Sequence, residues 1–483
     1  MNRLVVVSNR VPAPSAAGAQ AGGLAVALEA LMQQRGGLWF GWSGRISSHT
    51  GTRSVEDGGV RFATIDLTAE EHDRYYNEFS NGTLWPLLHS LPELMTFDRR
   101  NAQAYRAVNE RFAESLLPLL RPGDLIWIHD YHLLAMPAAL RARGVTAPVG
   151  FFLHIPFPSP DMLASVPESE ALVRDLLSAD LIGFQTENDA SNFGDAALRL
   201  GAAERGPSGW LLVDGRRVRL GVFSVEIEPH EFAAIAEDSW FASSAERLRR
   251  SLRGQSLILG VDRMDPTKGL LQRMTGYRRL LETRQHWHGR VTFLQIAAES
   301  RKDVPAYQEL RAEVEREAGS INSLFAEPDW TPLRLIARAG ARNTIAGYMR
   351  EARVGLVTPL RDGMNLVAKE YIAAQDPQDP GVLVLSRFAG AARQLRSALI
   401  VNPYDPDEMA DALDQALTMS LAERKSRWQE AWHAIRDTSA LAWGRTFVAA
   451  LLRATSRRPV HVGAGEPGAL YGIRSEPGGV RMM

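Results

Sequence analysis

No cysteine occurs anywhere in the 483 residues. Disulfides, thiolate nucleophiles and cysteine-ligated zinc or iron–sulfur centres are therefore excluded. Net charge is nearly absent as well, with 55 Lys and Arg against 56 Asp and Glu. Nucleic-acid binding wants a clearly basic surface, so no nucleic-acid partner is expected. No run approaches the roughly 18 apolar residues of a membrane span, and no membrane partner is expected either. The N-terminus sets a lone Arg before a few apolar residues, too short for a signal peptide, which points to a cytoplasmic protein. At the Gly22-Gly23 turn after the first strand a Gly-x-Gly-x-x-Gly spacing is missing, and this weighs against a dinucleotide-dependent oxidoreductase. There is no internal repeat.

What is present alternates. Apolar strand-like runs (Leu4–Val7, Leu125–Ile128, Val149–Leu153, Leu181–Phe184) are separated by helical patterns over Gly23–Gln34, Gln103–Leu119, His132–Arg143 and Asn188–Leu200. A second series follows at Leu257–Val261, Val291–Ile296, Val354–Val357, Val382–Leu385 and Leu399–Val401. Continuous apolar runs between helices predict parallel sheets covered on both faces. The expected fold class is α/β, with two facing doubly wound domains. A chain of this length accommodates two cores. The division falls near Val222 to Pro229, giving domains 1–225 and 226–456. Terminal helices over about 421–456 can cross back to the first domain. The Gly- and Pro-rich tail 457–483 lacks periodicity and is expected to be disordered.

The most informative stretch is Arg361-Asp362-Gly363-Met364-Asn365-Leu366-Val367-Ala368-Lys369-Glu370. It follows the buried run Val354 to Val357 and opens an amphipathic helix. Gly363 permits a tight turn and close approach to a ligand. The uncapped N–H groups of the first helical turn favour an anion. Glu370, about one and a half turns in, is placed to accept hydrogen bonds from hydroxyls such as those of a ribose. Read alone, the segment also fits an ordinary strand–helix connection with a surface glutamate.

A second segment, Gly260-Val261-Asp262-Arg263-Met264-Asp265-Pro266-Thr267-Lys268-Gly269, also joins a strand to a helix. Arg263 and Lys268 flank a proline turn, so both cations can point into one crevice. Two fixed cations suit a departing diphosphate where no metal neutralises it. Solvated surface cations are the alternative for either residue taken singly.

In the first half, Arg10 ends a strand where it can grip a phosphate, and Gly22-Gly23 open the next helix where backbone can approach a nucleotide. Asp130, just past the strand Leu125 to Ile128, reads as an acceptor for sugar hydroxyls or a partner for the nucleophilic hydroxyl. His129 and His132 suggest metal ligation, but an obvious third ligand is lacking. His154 sits at a strand tip held by Pro156 and Pro158, with a core histidine as the alternative. Tyr76, Trp85, Trp39 and Trp42 can form a sugar platform, although core packing is the default for any one aromatic.

These segments together resemble the trehalose-6-phosphate synthase family, retaining glycosyltransferases with two facing Rossmann-like domains of GT-B type. The motifs SNR, GGL, WFGWSG, IHDYHLL, FFLHIPFP, GFQTEND, SRKDV, LVTPLRDGMNLVAKEY and VLSRFAGA run in family order from Met1 to about Leu452. The resemblance implies a nucleotide-glucose donor, normally UDP-glucose, and glucose 6-phosphate as acceptor, with no cofactor and no metal. Arg10 and Arg301 would bind the acceptor phosphate beside Tyr76, while Trp85 and Asp130 would fix the acceptor sugar. Gly22, Gly23, Arg263 and Lys268 would surround the diphosphate. Asp362 and His154 would hold glucose hydroxyls, the turn through Leu366, Val367, Ala368 and Lys369 the phosphate, and Glu370 the ribose. Arg263, Lys268, His154, Asp130 and Asp362 would thus carry catalysis, by front-face attack without an enzymic nucleophile.

Several positions depart from the family pattern: the segment Met264-Asp265-Pro266 before the donor lysine, Glu226 where glycine is usual, Gly340 near the base pocket, and Arg353. They leave GDP or ADP open beside UDP. Alternatives at the level of function are a related synthase with another phosphorylated acceptor, such as glycerol 3-phosphate, or a non-catalytic sugar-phosphate sensor. No appended phosphatase domain is expected, and a homo-oligomer is compatible with the pattern.

Overall fold

A computed structural model of the chain describes residues 2–12, 23–48, 51–301 and 304–455. Gly22 and the tail 457–483 lie outside the described residues. The first sheet has ten strands in the order β3-β4-β2-β1-β5-β6-β7-β10-β9-β8. These are β1 (Leu4–Arg10), β2 (Gly37–Ile46), β3 (Arg53–Asp57), β4 (Val60–Leu67), β5 (Leu125–His129), β6 (Val149–Phe152), β7 (Leu181–Phe184), β8 (Glu204–Arg205), β9 (Trp210–Val213) and β10 (Arg216–Val222). The second sheet holds β11 (Ser256–Arg263), β12 (Val291–Ala298), β13 (Leu333–Ile336), β14 (Val354–Val357), β15 (Val382–Ser386) and β16 (Leu399–Val401) in the order β13-β12-β11-β14-β15-β16.

The second sheet is parallel throughout. The first is parallel only between its flanks, because β3, β9 and β8 pair antiparallel. The parallel sheets expected are present, and antiparallel strands extend the first at its edges. The cause is local: tight reversals at Gly58-Gly59 and Asp214-Gly215 allow hairpins, whereas parallel neighbours need a crossover. In the central part, β4-β2-β1-β5-β6-β7 repeats the order of β13-β12-β11-β14-β15-β16. Each sheet therefore reverses direction once, between β1 and β5 and between β11 and β14. Ligands of open α/β sheets bind at such reversal points, beyond the carboxyl ends of the strands.

The body of β1 is buried, with Leu4, Val5, Val6 and Val7 all 0% exposed, and burial ends at its carboxyl tip, Asn9 and Arg10. The expected helix His132–Arg143 is interrupted. A single tight turn, Tyr131–Leu133, precedes the helix Met136–Ala142, whose start is set by Pro137. The helix Leu421–Ile435 packs on the second sheet's core through Ala431 and Ile435. The next helix, Ala440–Thr455, covers the first sheet: Phe447 stacks on Trp127 at 4.3 Å and fills the space over Gly150 and Gly183. No helix among the described residues is long and apolar enough to cross a membrane.

Candidate active site

The carboxyl ends of β1, β5 and β6 face those of β11, β12 and β14. Arg263 ends β11 and reaches across to the first sheet's side, its guanidinium 5.7 Å from the Trp85 ring. Lys268 closes the one-turn segment Pro266–Lys268 and forms an ion pair with Asp362 Oδ2, both side chains largely buried. Asn365 Nδ2 donates to the same carboxylate oxygen at 3.0 Å. Lys268 and Asp362, brought from the two strand–helix turns of the second sheet, thus hold each other.

Gly363 has a different close neighbour from the one its sequence suggests. A Cβ there would lie 2.2 Å from the His154 carbonyl oxygen, so this glycine lets the two lobes touch. His154 Nε2 lies 3.0 Å from His129 Nδ1. Burial pushes the His154 imidazole down to about 3 and His129 down as well, with the His154 ring adding to the shift at His129. Both rings are neutral near pH 7. Gln185 Nε2 donates to the His154 carbonyl at 3.3 Å.

Asp130 accepts from the His154 amide at 3.2 Å. Burial raises its carboxyl to about 6, partly offset by the His154 and Tyr131 amides and by the positive charge of Arg301 and Arg263. The carboxylate therefore feels cations from the opposite lobe.

The Arg301 guanidinium lies 4.0 Å from the Trp85 ring and donates to Tyr131 Oη at 3.0 Å and to Tyr307 Oη. Asp265, wholly buried, stands 3.6 Å from Arg301 and 3.7 Å from Arg263. Burial would raise its carboxyl, but Arg301, Arg263 and Lys268 outweigh that and hold it well below the usual carboxylate range. Sequence reasoning missed Asp265, Tyr131 and Tyr307 as organisers of the cations. Asp265 stood inside the motif that carries Arg263 and Lys268, where a charge between two cations was a usable signal.

Tyr76 lies on His72–Leu84, a helix of wide i→i+5 turns; its ring stacks on His132 at 5.7 Å and meets Trp42 at 5.6 Å, tilted by 56°. The ring series continues through Tyr131 to Trp85. Arg10 ends β1 at the surface, its guanidinium against Gly44, where a side chain would collide with it. Trp39 does not join the platform: it is 1% exposed, and its indole N–H donates to Ser8 Oγ at 2.8 Å. Gly23 is the first residue of the helix Gly23–Arg35.

On the donor side, the helix Leu366–Ala374 begins at Asn365 with no side-chain cap, leaving the amides of Leu366, Val367 and Ala368 without a side-chain partner. Glu370 is half-buried, and burial lifts its carboxyl to about 7, slightly offset by Arg342. The Lys369 side chain is fully buried and paired with Glu226 at 2.6 Å, so only its backbone is left to the turn that opens this helix. That pairing accounts for the charge at position 226. Arg353 likewise pairs with Asp379 at 3.0 Å. Pro266 opens a one-turn helix capped by Asp265.

Six non-glycine residues among those described have positive φ, and Asp130, Arg301 and Asn365 are three of them. Such backbone costs about 1–3 kcal/mol per residue and persists where the surroundings over-determine it. Trp85 Nε1, His132 Nδ1 and Asn365 Oδ1 are buried without a protein partner. Among the described residues, no group of three His, Asp or Glu is arranged to hold a metal.

Two facing doubly wound sheets with their polar residues gathered at the shared reversal points define a GT-B type glycosyltransferase. The profile of glycosyltransferase family 20 matches residues 2–453. The chain belongs to that family. It is 44% identical over 462 residues to a trehalose-6-phosphate synthase of Sinorhizobium fredii, covering 95% of this chain and 100% of the relative. It resembles a crystal structure of a UDP-forming α,α-trehalose-phosphate synthase from Burkholderia vietnamiensis, with TM-score 0.92 and 47% identity over 94% of this chain and 98% of that one. A Burkholderia xenovorans synthase in complex with glucose-6-phosphate matches with TM-score 0.90 and 45% identity, over 93% of this chain and 100% of that one.

Proposed function

We propose that this chain moves glucose from UDP-glucose to glucose 6-phosphate with retention, giving α,α-trehalose 6-phosphate and UDP. The observation that carries this reading is the convergence of Arg263 and Arg301 of the second lobe on Trp85 of the first. Residues up to about 225 supply most acceptor contacts and residues 226–456 most nucleotide-sugar contacts, with Arg301 reaching across to the acceptor and Gly23 and His154 to the donor. Arg301 and Arg10 take the acceptor phosphate, which carries close to two negative charges at neutral pH. Tyr76 and Trp85 pack on the acceptor sugar.

Arrival of the donor diphosphate gives Lys268 a second anion and frees Asp362 for a glucose hydroxyl. The amides of Leu366, Val367 and Ala368 with Gly23 face the phosphates, and Glu370 accepts from the ribose. Asp130, mostly ionised above pH 6, accepts from the acceptor sugar, and neutral His154 holds a donor hydroxyl. The bond from the anomeric carbon to the diphosphate breaks as the acceptor's anomeric hydroxyl attacks the same face, and that hydroxyl's proton passes to the departing phosphate oxygen. Arg263 and Lys268 stabilise the developing charge, and positioning supplies most of the rest. A cytoplasmic location fits both substrates.

A product assay tests this directly, pairing UDP-, GDP- and ADP-glucose with glucose 6-phosphate and glycerol 3-phosphate, with and without EDTA. UDP-glucose with glucose 6-phosphate should give the fastest turnover, at equal rates in both buffers, because the two cations stand in for a metal. Product only from glycerol 3-phosphate, or only without chelator, sinks the corresponding part of the reading.

A further inference from the structure

The chain passes between the lobes twice, at residues 223–228 and at 436–439, and the two crossings are joined to each other. Trp443 Nε1 donates to the Phe223 carbonyl at 3.0 Å, and the Leu441 amide to Glu228 Oε1 at 3.4 Å. Thr438 Oγ1 lies 3.2 Å from Glu226 Oε2. Glu226 also receives Lys369 Nζ at 2.6 Å and Gln394 Nε2 at 2.8 Å. Lys369 is 0% exposed and Glu226 7%. The same linker continues to the opposite wall of the cleft. The Val225 amide donates to Gln185 Oε1 at 3.0 Å, and Gln185 Nε2 donates to the His154 carbonyl.

We infer that Glu226 is a positioning residue for the nucleotide sugar: through Lys369 it fixes where the first turn of the Leu366–Ala374 helix stands relative to the His154 loop. The inference rests on the donor role proposed for that turn. A desolvated ion pair with its remaining oxygens occupied tolerates little displacement, because any shift leaves a buried charge uncompensated. Lys369 is one turn from Leu366 and adjacent to Glu370, so movement of the pair moves both donor contacts. The acceptor groups Arg301, Tyr76 and Trp85 are not in this network.

Steady-state kinetics on the full chain test it, using Glu226→Gln, Glu226→Asp and the double variant Glu226→Gln/Lys369→Met, each matched for folded fraction by calorimetry. Glu226→Gln should raise the nucleotide-glucose KM about tenfold and the glucose 6-phosphate KM by less than about twofold. The double variant, which leaves no lone buried ammonium, should return the donor KM to within about threefold of wild type. A lowered melting temperature with both KM values unchanged, or an equal rise in both, overturns the inference. If Glu226→Gln does not fold, an unchanged donor KM in Glu226→Asp overturns it instead. An inactive wild-type protein would sink the proposed function; calorimetric UDP binding to wild type and Glu226→Gln would then decide the positioning role, equal affinities overturning it.

Discussion

Arg301 lies face-on to Trp85, its guanidinium carbon 4.0 Å from the ring centre, although the two belong to opposite lobes. A planar cation over an aromatic face gains from the ring quadrupole, and the flat fork keeps its N–H groups free for Tyr131, Tyr307 and an incoming phosphate. The left-handed backbone of Arg301, at φ +46°, aims the side chain at this spot.

Arg301→Ala should therefore raise the KM for glucose 6-phosphate by about two orders of magnitude, the loss of a charge-assisted contact of about 2–3 kcal/mol. The donor KM should move by less than about threefold. Arg301→Lys should recover only part of the loss, because an ammonium neither stacks nor forks. Varying each substrate in turn measures this, and a larger rise in the donor KM would show that Arg301 serves the other substrate.

Lys268 pairs with Asp362. Its charge matters most when the diphosphate leaves, so Lys268→Ala should lower kcat by about 10²–10³-fold and leave the acceptor KM nearly unchanged. Single-turnover rates at saturating substrates check the chemical step. A kcat within about threefold of wild type would remove Lys268 from the reaction.

Much of this architecture was legible before any coordinates. Leu181–Phe184, Val354–Val357 and Leu399–Val401 are strands at the bounds their apolar runs predict, because a parallel strand buried on both faces must be apolar without interruption. β2 hid itself, since Gly37–Ile46 mixes glycine, aromatics and Arg45 and shows neither a continuous run nor a clean alternation. The β9–β10 hairpin carried a usable signal in Asp214-Gly215, both at positive φ, between two strand-forming runs. The wide-turn helix bearing Tyr76 has no regular 3.6-residue apolar period to announce it.

Among the functional residues, Arg263, Lys268, Asp362 and Glu370 stand in two contiguous motifs, and local spacing was enough to single them out. The roles of Tyr131 and Tyr307 were not readable, because each acts through Arg301, which is remote in sequence from Tyr131. The charge of Lys369 invites a phosphate contact, and only the fold reveals Glu226 behind it.

Glu370 makes the last prediction, because its stability and its function pull in opposite directions. Burial lifts its carboxyl from the ordinary range near 4.5 to about 7. Between those values the folded protein holds a proton that the unfolded chain has already lost, so the ligand-free protein loses stability as pH rises through this window. Glu370→Gln removes the charge. It should raise the melting temperature at pH 8, by on the order of 2 kcal/mol of stability once the amide's own burial cost is set against the gain, and change it little at pH 4. The same variant should raise the UDP-glucose KM at pH 8, since an amide is a weaker acceptor for ribose hydroxyls than a carboxylate. Calorimetric melting at the two pH values, paired with donor kinetics at pH 8, separates the effects. Equal melting shifts at pH 4 and pH 8 would show that Glu370 is not a strained buried acid, and an unchanged donor KM would remove it from the ribose site.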